Sequence, residues 1–487
     1  MALNRHIAAR FAAPLAQAWA GAWTGAWAGA SAGRTELGET VRLALPLVLT
    51  QLAWIAMLAT DTAMIGRLGA EKLAGGTLGL MVFFFVYVGC FGLTTATASL
   101  ASQFYGARQP RMVRRVVRQG LWVSVVLTVP CVVAFEGTGA LLLWLGQPVE
   151  ALPHADAYMS TLRWSLPFAV AFTVLRNFVS ALNRPAVALW VMMTGVPLNA
   201  VLDYALIFGK FGLPRLELVG AGIATTAVNA LMFLGLLLIA ILRKPFSRYG
   251  ILTRFWRLDW VQFGRIFQIG LPIAGMSLLE AGFFIGAVFV VGQFGVTAIA
   301  AHMIAIQMPH ISYMVPMGLS QAATVRVGHA VGRRDAVGAY RAGWTAWLVT
   351  LAFMSCMTLV VLAVPEAFAA VFLDRDLPGS EAVLSLAVSF LFYAAFFQAA
   401  DGMQAVAAGA LRGLNDTAIP MVYAALSYWA IGLGSGYWLA FHAGFDGAGL
   451  WIGFVVGLSC AAILLTARLR RLNRRLYIPA LNAASIR

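Results

Sequence analysis

The sequence predicts an all-α integral membrane protein with twelve transmembrane helices in two pseudo-symmetric six-helix lobes. Three observations predict it: charge is scarce, the apolar runs are long and unbroken, and residues 45–115 of the first half align with the second half without a gap. Of 487 residues, 61% are hydrophobic and 11% charged, against roughly 25% charged in a soluble globular chain. Mean hydropathy is +0.83. The net charge of +15 would suggest a nucleic-acid partner for a soluble chain. Here the basic residues cluster in short loops and the C-terminal tail, so a lipid bilayer explains them and no nucleic acid is implied. Cys90, Cys131, Cys356 and Cys460 all lie in apolar runs without metal-ligand spacing, and read as small hydrophobes.

A spanning helix needs roughly 20 mostly apolar residues. The first run, 42–66, contains Pro46 and Asp61. The second, 78–104, carries the aromatic stretch "MVFFFVYVGCF" and ends in a loop rich in arginine and free of acid. Runs 118–146 and 158–181 follow, then 186–209 with Asn199 and Asp203, and 218–242 with Thr225. The second half repeats the series: 263–292 with Glu280, 298–327 with His310, 342–372, 381–411 with Asp401, 418–442 and 446–468. These runs must be helical, because a chain crossing lipid has to satisfy its backbone within the segment. A β-barrel would need alternating segments of about ten residues, and these runs are continuous.

The domain division follows. Residues 1–40, which include the low-complexity "AQAWAGAWTGAWAGASAG", read as a disordered cytoplasmic tail. Residues 41–245 form the N-lobe, 246–262 a cytoplasmic linker, 263–468 the C-lobe and 469–487 a basic cytoplasmic tail. Arginines and lysines fall after the second, sixth and eighth runs and beyond the twelfth, on one face if the helices alternate. The excess of positive charge on the cytoplasmic side then places both termini in the cytoplasm.

The repeat has an offset of 226 residues. Leu45–Pro46 meets Leu271–Pro272, Gly66 and Gly69 meet Gly292 and Gly295, Gly92–Leu93 meets Gly318–Leu319, and Gly106 meets Gly332. Six helices separate the matched positions, an even number, so the repeats are parallel. Such repeats suggest two bundles about an axis along the membrane normal.

Acids inside the runs are the candidate functional residues. The stretch "LPIAGMSLLEAGFFIGAVFVVGQ" (271–293) holds Glu280 at its centre, where a carboxylate costs roughly 2.5–3.5 kcal/mol on insertion scales. Asp401 lies equally deep, and no lysine or arginine stands at comparable depth in the sequence to pair them. Two such carboxylates brought together in a medium of low dielectric take up a proton or a cation, which links an ion to a conformational change. In the first half, Asn199 and Asp203 share a helix face. With Asp61 and Thr225 they form an oxygen-rich set suited to a proton or a hard cation such as sodium. The plainer reading of each acid is a structural hydrogen bond within the bundle. His310 is a candidate proton carrier, and a proline such as Pro46 permits a bend. Arg412 and Asp416, four apart, read as a surface ion pair. No nucleotide-binding or catalytic motif is present, so neither an ATP-driven pump nor an enzyme is expected.

The segments "ATDTAMIGRLG", "LPIAGMSLLEAGFF", "TAIAAHMIAIQ", "ATVRVGHAVG" and "AADGMQAVAAGALRGLNDT" together resemble multidrug and toxic compound extrusion (MATE) transporters over nearly all of residues 40–465. The resemblance implies two lobes around a V-shaped central cleft and a secondary active efflux transporter. Such a transporter exchanges organic cations or drugs for sodium ions or protons by alternating access, as a monomer without a cofactor, in a bacterial inner membrane. It puts Glu280 and Asp401 on the C-lobe coupling carboxylates, a tentative sodium site. Asp61, Asn199, Asp203 and Thr225 fall on the N-lobe ion set, and Pro46 on the proline whose helix bends in some members. The sodium-coupled bacterial branch often lacks an acid at the Asp203 position, so both ions stay open. The alternative is a flippase for a lipid-linked saccharide of the related superfamily, which would line its cleft with arginines.

Overall fold

A computed structural model describes residues 30–372 and 380–479. All regular structure among them is helical. The twelve expected spans appear in order. Spans 1 to 3 comprise Ala30–Gly66, Ala70–Gly106 and Pro110–Ala134. Spans 4 to 6 comprise Leu152–Leu162 with Ser165–Ala181, then Ala186–Phe208 and Glu217–Leu242. Spans 7 to 9 are Trp260–Gly292, Val296–Gly332 and Ala336–Ala363. Spans 10 to 12 are Ser380–Gly413, Ala418–Ala425 continued to Phe441, and Asp446–Arg474.

Ten of the described helices are long and apolar enough to cross a membrane. Spans 4 and 8 are the two outside that set. Span 4 is interrupted at Arg163–Trp164, and its longer piece has 17 residues. Span 8 has 37 residues, but His302, Gln307, His310, Ser320 and Gln321 dilute its apolar character.

Several expected boundaries shift for local reasons. Residues 30–40, expected in the disordered tail, extend span 1. Thr40 is fully buried, and Glu36 and Glu39 pair with Arg326 of span 8. Hydropathy misses such an extension because tertiary ion pairs, and not lipid, hold it. Residues 1–29 and 480–487 lie outside the described residues, as does most of the loop after run 9. The run at 118–146 kinks through a 3₁₀ turn at Phe135–Gly137, and the run at 342–372 breaks at Val364. Pro365 follows Val364, and a residue before proline is pushed out of the helical region. The basic tail expected from 469 is helical as far as Arg474. Asp259 and Asp335 cap spans 7 and 9, accepting from the backbone N–H of Gln262 and Gly338. The linker folds onto span 3, where Arg118 donates to the Arg254 carbonyl and Trp122 to that of Phe255, both at 2.9 Å.

The repeat is visible in the backbone. Gly69 and Gly295, at matched positions, both have positive φ, and so do Arg108 and Arg334. The cores match too. Leu43 and Leu47 of span 1 pack in the core of the second half, while their counterparts Ile269 and Ile273 of span 7 pack in that of the first. Each half therefore takes in the basic-end portion of the other's first helix. A Cβ at Gly92 would lie 2.7 Å from the Ala274 Cα, and one at the matched Gly318 lies 2.7 Å from the Val48 nitrogen. Nearer the basic end, a Cβ at Gly106 would overlap the His329 carbonyl, and one at Gly332 that of Gln103. Glycine at 106 and 332 lets spans 2 and 8 touch backbone to backbone, while glycine at 92 and 318 admits spans 7 and 1.

Candidate functional site

The first-half set is brought together. Span 1 delivers Asp61, span 5 Asn199 and Asp203, and span 6 Thr225, all four buried. Gly220 and Gly222 seat span 6 against the Leu206 and Tyr158 backbones, which brings Thr225 close to span 1. Thr225 Oγ1 donates to Asp61 Oδ2 at 3.3 Å, and Asn199 and Asp203 face the same carboxylate. Beyond one another, Asp61 Oδ1, both Asp203 oxygens and both polar atoms of the Asn199 amide have no hydrogen-bond partner. Buried polar groups are normally paired. Orphaned carboxylate and amide oxygens converging at one point suit a proton or a hard cation. Tyr158, almost fully buried, lies beside both aspartates, and sequence reasoning missed it. A tyrosine within an apolar run carries no signal of its own.

The second-half pair is also brought together, through a residue the sequence did not single out. Gln404 Nε2 donates to Glu280 Oε1 at 3.0 Å and to Asp401 Oδ1 at 3.1 Å. The Tyr428 hydroxyl donates to Gln404 Oε1 at 2.7 Å, and the Tyr313 hydroxyl reaches Glu280 at 3.5 Å. Tyr428 lies in a π-helical stretch, Leu426–Leu433, where one extra residue per turn widens the helix. Such turns recur at functional sites. Here the amide N–H₂ group, and not an oxygen, fills the space between the carboxylates. A donor there complements negative charge on the pair.

Buried arginines alter the sequence reading at two places. Arg412 lies within electrostatic reach of Glu280, so the pair does have a cation nearby. It is not the partner of Asp416, whose Oδ2 instead accepts from Arg468 Nε of span 12 at 2.9 Å. Arg176 of span 4 is 6% exposed. It donates to Gln51 Oε1 at 2.9 Å and stands over the Phe91 ring, 5.5 Å from its centroid. Gln51 in turn contacts Met317 Sδ across the seam at 2.8 Å.

Two candidates are not joined to either set. His310 is exposed on span 8 and hydrogen-bonds to neither carboxylate of the second half. Pro46 lies in a helix that continues through it, with Thr50 Oγ1 donating to its carbonyl at 2.7 Å. No group of three or more His, Cys, Asp or Glu side chains is placed to hold a metal ion among the described residues.

At the basic end the halves are joined by polar contacts. Gln103 Nε2 donates to the Gly413 carbonyl and Asn415 Nδ2 to Gln103 Oε1, each at 2.9 Å. The Ser99 hydroxyl lies 2.6 Å from Asn415 Oδ1. These contacts hold the two halves together at the basic end.

Comparison with known proteins places these features in a family. The MatE family model matches residues 46–205 and 272–438, two segments whose starts are separated by the repeat offset. A protein of Mesorhizobium japonicum named "Probable multidrug resistance protein NorM" is 44% identical over 442 residues, covering 90% of this chain and 94% of that protein. The "Multidrug resistance protein NorM" of Burkholderia vietnamiensis is 39% identical, covering 88% and 93%. Among solved structures, a eukaryotic MATE transporter aligns with a TM-score of 0.81 at 21% identity, covering 91% of this chain and all of that one. A MOP superfamily transporter from Pyrococcus furiosus aligns with a TM-score of 0.83 at 20% identity, covering 91% and 96%. At such identities the likeness is one of fold.

Proposed function

The chain belongs to the MatE family, and from that membership we propose that it is a secondary active multidrug efflux transporter. It exchanges cytoplasmic organic cations or drugs for sodium ions or protons by alternating access. It is a multi-pass membrane protein. The basic end faces the cytoplasm, with both termini on that side, in a bacterial inner membrane.

The observation that carries this reading is the convergence of Asp61, Asn199, Asp203 and Thr225 with their orphaned oxygens. An entering proton or sodium ion satisfies those oxygens. Because the four residues come from spans 1, 5 and 6, the ion draws three helices together, and its binding depends on their arrangement. A ligand shifts a conformational equilibrium by its difference in affinity for the two states. An organic cation competing for the same negative field has the opposite preference, which gives exchange. The Glu280–Asp401 pair supplies a second negative centre, held by Gln404, whose role is to attract the cationic cargo or take up protons. Pro46 gives span 1, which carries Asp61, a place to bend.

The flippase alternative needs a cleft dominated by arginine. The interior holds Arg176 and Arg412 against Asp61, Asp203, Glu280 and Asp401, and that balance favours a cationic cargo.

The test uses proteoliposomes and a fluorescent organic cation, with a sodium gradient and a proton gradient imposed separately. Movement driven by either gradient, and its loss in Asp203→Asn, supports the reading and identifies the ion. Movement unaffected by both gradients overturns it.

A further inference from the structure

A cavity of about 420 Å³ opens at the basic end, on the seam between the halves. Tyr105, Arg108 and Asn183 of the first half line it, with Tyr249 of the linker and His329 and Arg333 of the second half. No acidic residue lines it. Neither Arg108 nor Arg333 forms an ion pair among the described residues. His329 Nε2 donates to the Ala181 carbonyl at 2.7 Å, and its ring packs against Tyr105 with centroids 5.1 Å apart. The wall between the two arginines is therefore fixed.

Two guanidinium groups facing one cavity repel each other. The C-terminal ends of spans 2 and 8 offset part of this charge, but each helix end carries only about half a unit. A guanidinium presents a planar fork of donors that matches two oxygens of a phosphate. The phenol rings and the Asn183 amide add neutral polar groups around it. The level is that of the basic loops, where lipid headgroups stand if this end faces the cytoplasm.

We propose that the seam cavity binds a phosphate group, supplied by the headgroup of an anionic phospholipid or by free phosphate. Arg108 and Arg333 grip it from opposite halves. Separation of spans 2 and 8 takes the two arginines apart and dismantles the site. A bound phosphate therefore favours the arrangement in which Gly106 and Gly332 are in contact, and it acts on the transport cycle from outside the carboxylate sets.

The test measures thermal unfolding of the full chain in neutral detergent. Inorganic phosphate, chloride at matched ionic strength, short-chain phosphatidylglycerol and short-chain phosphatidylcholine are titrated separately. Phosphate and phosphatidylglycerol are expected to raise Tm, and chloride and phosphatidylcholine are not. In Arg108→Gln/Arg333→Gln the apparent affinity falls about a hundredfold, roughly tenfold for each lost charged pair. Tighter binding of phosphatidylglycerol than of phosphate identifies the lipid as the source, and equal binding identifies free phosphate. No shift beyond that of chloride, or an undiminished shift in the double variant, overturns the proposal. A second measurement does not depend on variant stability. Spin labels at Arg111→Cys and Arg341→Cys, in a chain without its four cysteines, are expected to shift toward the shorter separation with ligand. An unchanged distance distribution contradicts the seam mechanism.

Discussion

The Tyr428 hydroxyl donates to Gln404 Oε1 at 2.7 Å, while the amide nitrogen of Gln404 donates to both carboxylates of the second half. A glutamine amide can face either way. The ionised carboxylates, which can only accept, select the orientation in which the donor points at Glu280 and Asp401, and the phenol complements it by donating to the amide oxygen. Tyr428 reaches this position because span 11 widens by a residue at Leu426–Leu433 and packs its ring on Phe283, with centroids 5.6 Å apart.

Removing that hydroxyl therefore acts on the carboxylates from a distance. Tyr428→Phe is expected to lower the rate of organic-cation transport about five- to tenfold, the effect of losing one buried hydrogen bond of about 1 kcal/mol. Initial rates in proteoliposomes check this. Gln404→Leu, which removes the shared donor outright, is expected to cost more than Tyr428→Phe. Equal rates for both variants and the wild type would remove Gln404 from the mechanism.

The first-half set gives a sharper expectation. Asp61→Asn or Asp203→Asn removes a charge from the ion site and is expected to reduce gradient-driven transport at least about tenfold, a loss of roughly 1.4 kcal/mol or more. Thr225→Val leaves both carboxylates and removes one neutral hydrogen bond, so its effect is expected to be smaller. Both are read as drug efflux against ion concentration, where the aspartate variants lose the ion dependence and Thr225→Val keeps it with weaker apparent affinity.

The glycine contact at the basic end is steric. Gly106→Ala or Gly332→Ala places a methyl group against a carbonyl of the opposite helix. Overpacking of this kind costs about 1–3 kcal/mol. Because the contact exists only when spans 2 and 8 touch, the cost falls on that conformation. Cross-linking of cysteines introduced at this end is expected to drop in either variant. Undiminished cross-linking would show that the seam has room to spare.

The helix caps make a control. Asp259→Ala and Asp335→Ala each remove an N-cap hydrogen bond and are expected to cost about 1 kcal/mol of stability. Transport rates per folded molecule should be unchanged, since neither residue belongs to a carboxylate set. Thermal unfolding and transport measured on the same preparation separate the two.

Much of the architecture was legible because lipid makes it costly to break the pattern. Twelve apolar runs and a repeat at one offset specify the order of helices, and an acid such as Asp61 or Glu280 stands out where charge is expensive. Residues whose cost is low left no such trace. Gln404 and Tyr158 are ordinary in a helix, and only packing brings them to the carboxylates. The i,i+4 spacing of Arg412 and Asp416 pointed to a local pair, but Arg468 on span 12 competes successfully. Arg176 stands five residues from the end of its helix, where a basic residue gives no signal of burial, although Gln51 of span 1 and Phe91 of span 2 enclose it. The helical extension at residues 30–40 was read as tail, because the ion pairs of Glu36 and Glu39 with Arg326 join positions far apart in sequence.

The most direct measurement follows both fluxes at once in the same proteoliposomes. A gradient of the organic cation alone is imposed, and the movement of sodium and of protons in the opposite direction is recorded for the wild type and for Asp203→Asn. Exchange through the first-half set predicts that the wild type drives one of these ions against its own gradient. It also predicts that Asp203→Asn drives neither. Ion movement of the same size in the variant, or drug movement in the wild type with no counter-flow of either ion, would contradict it.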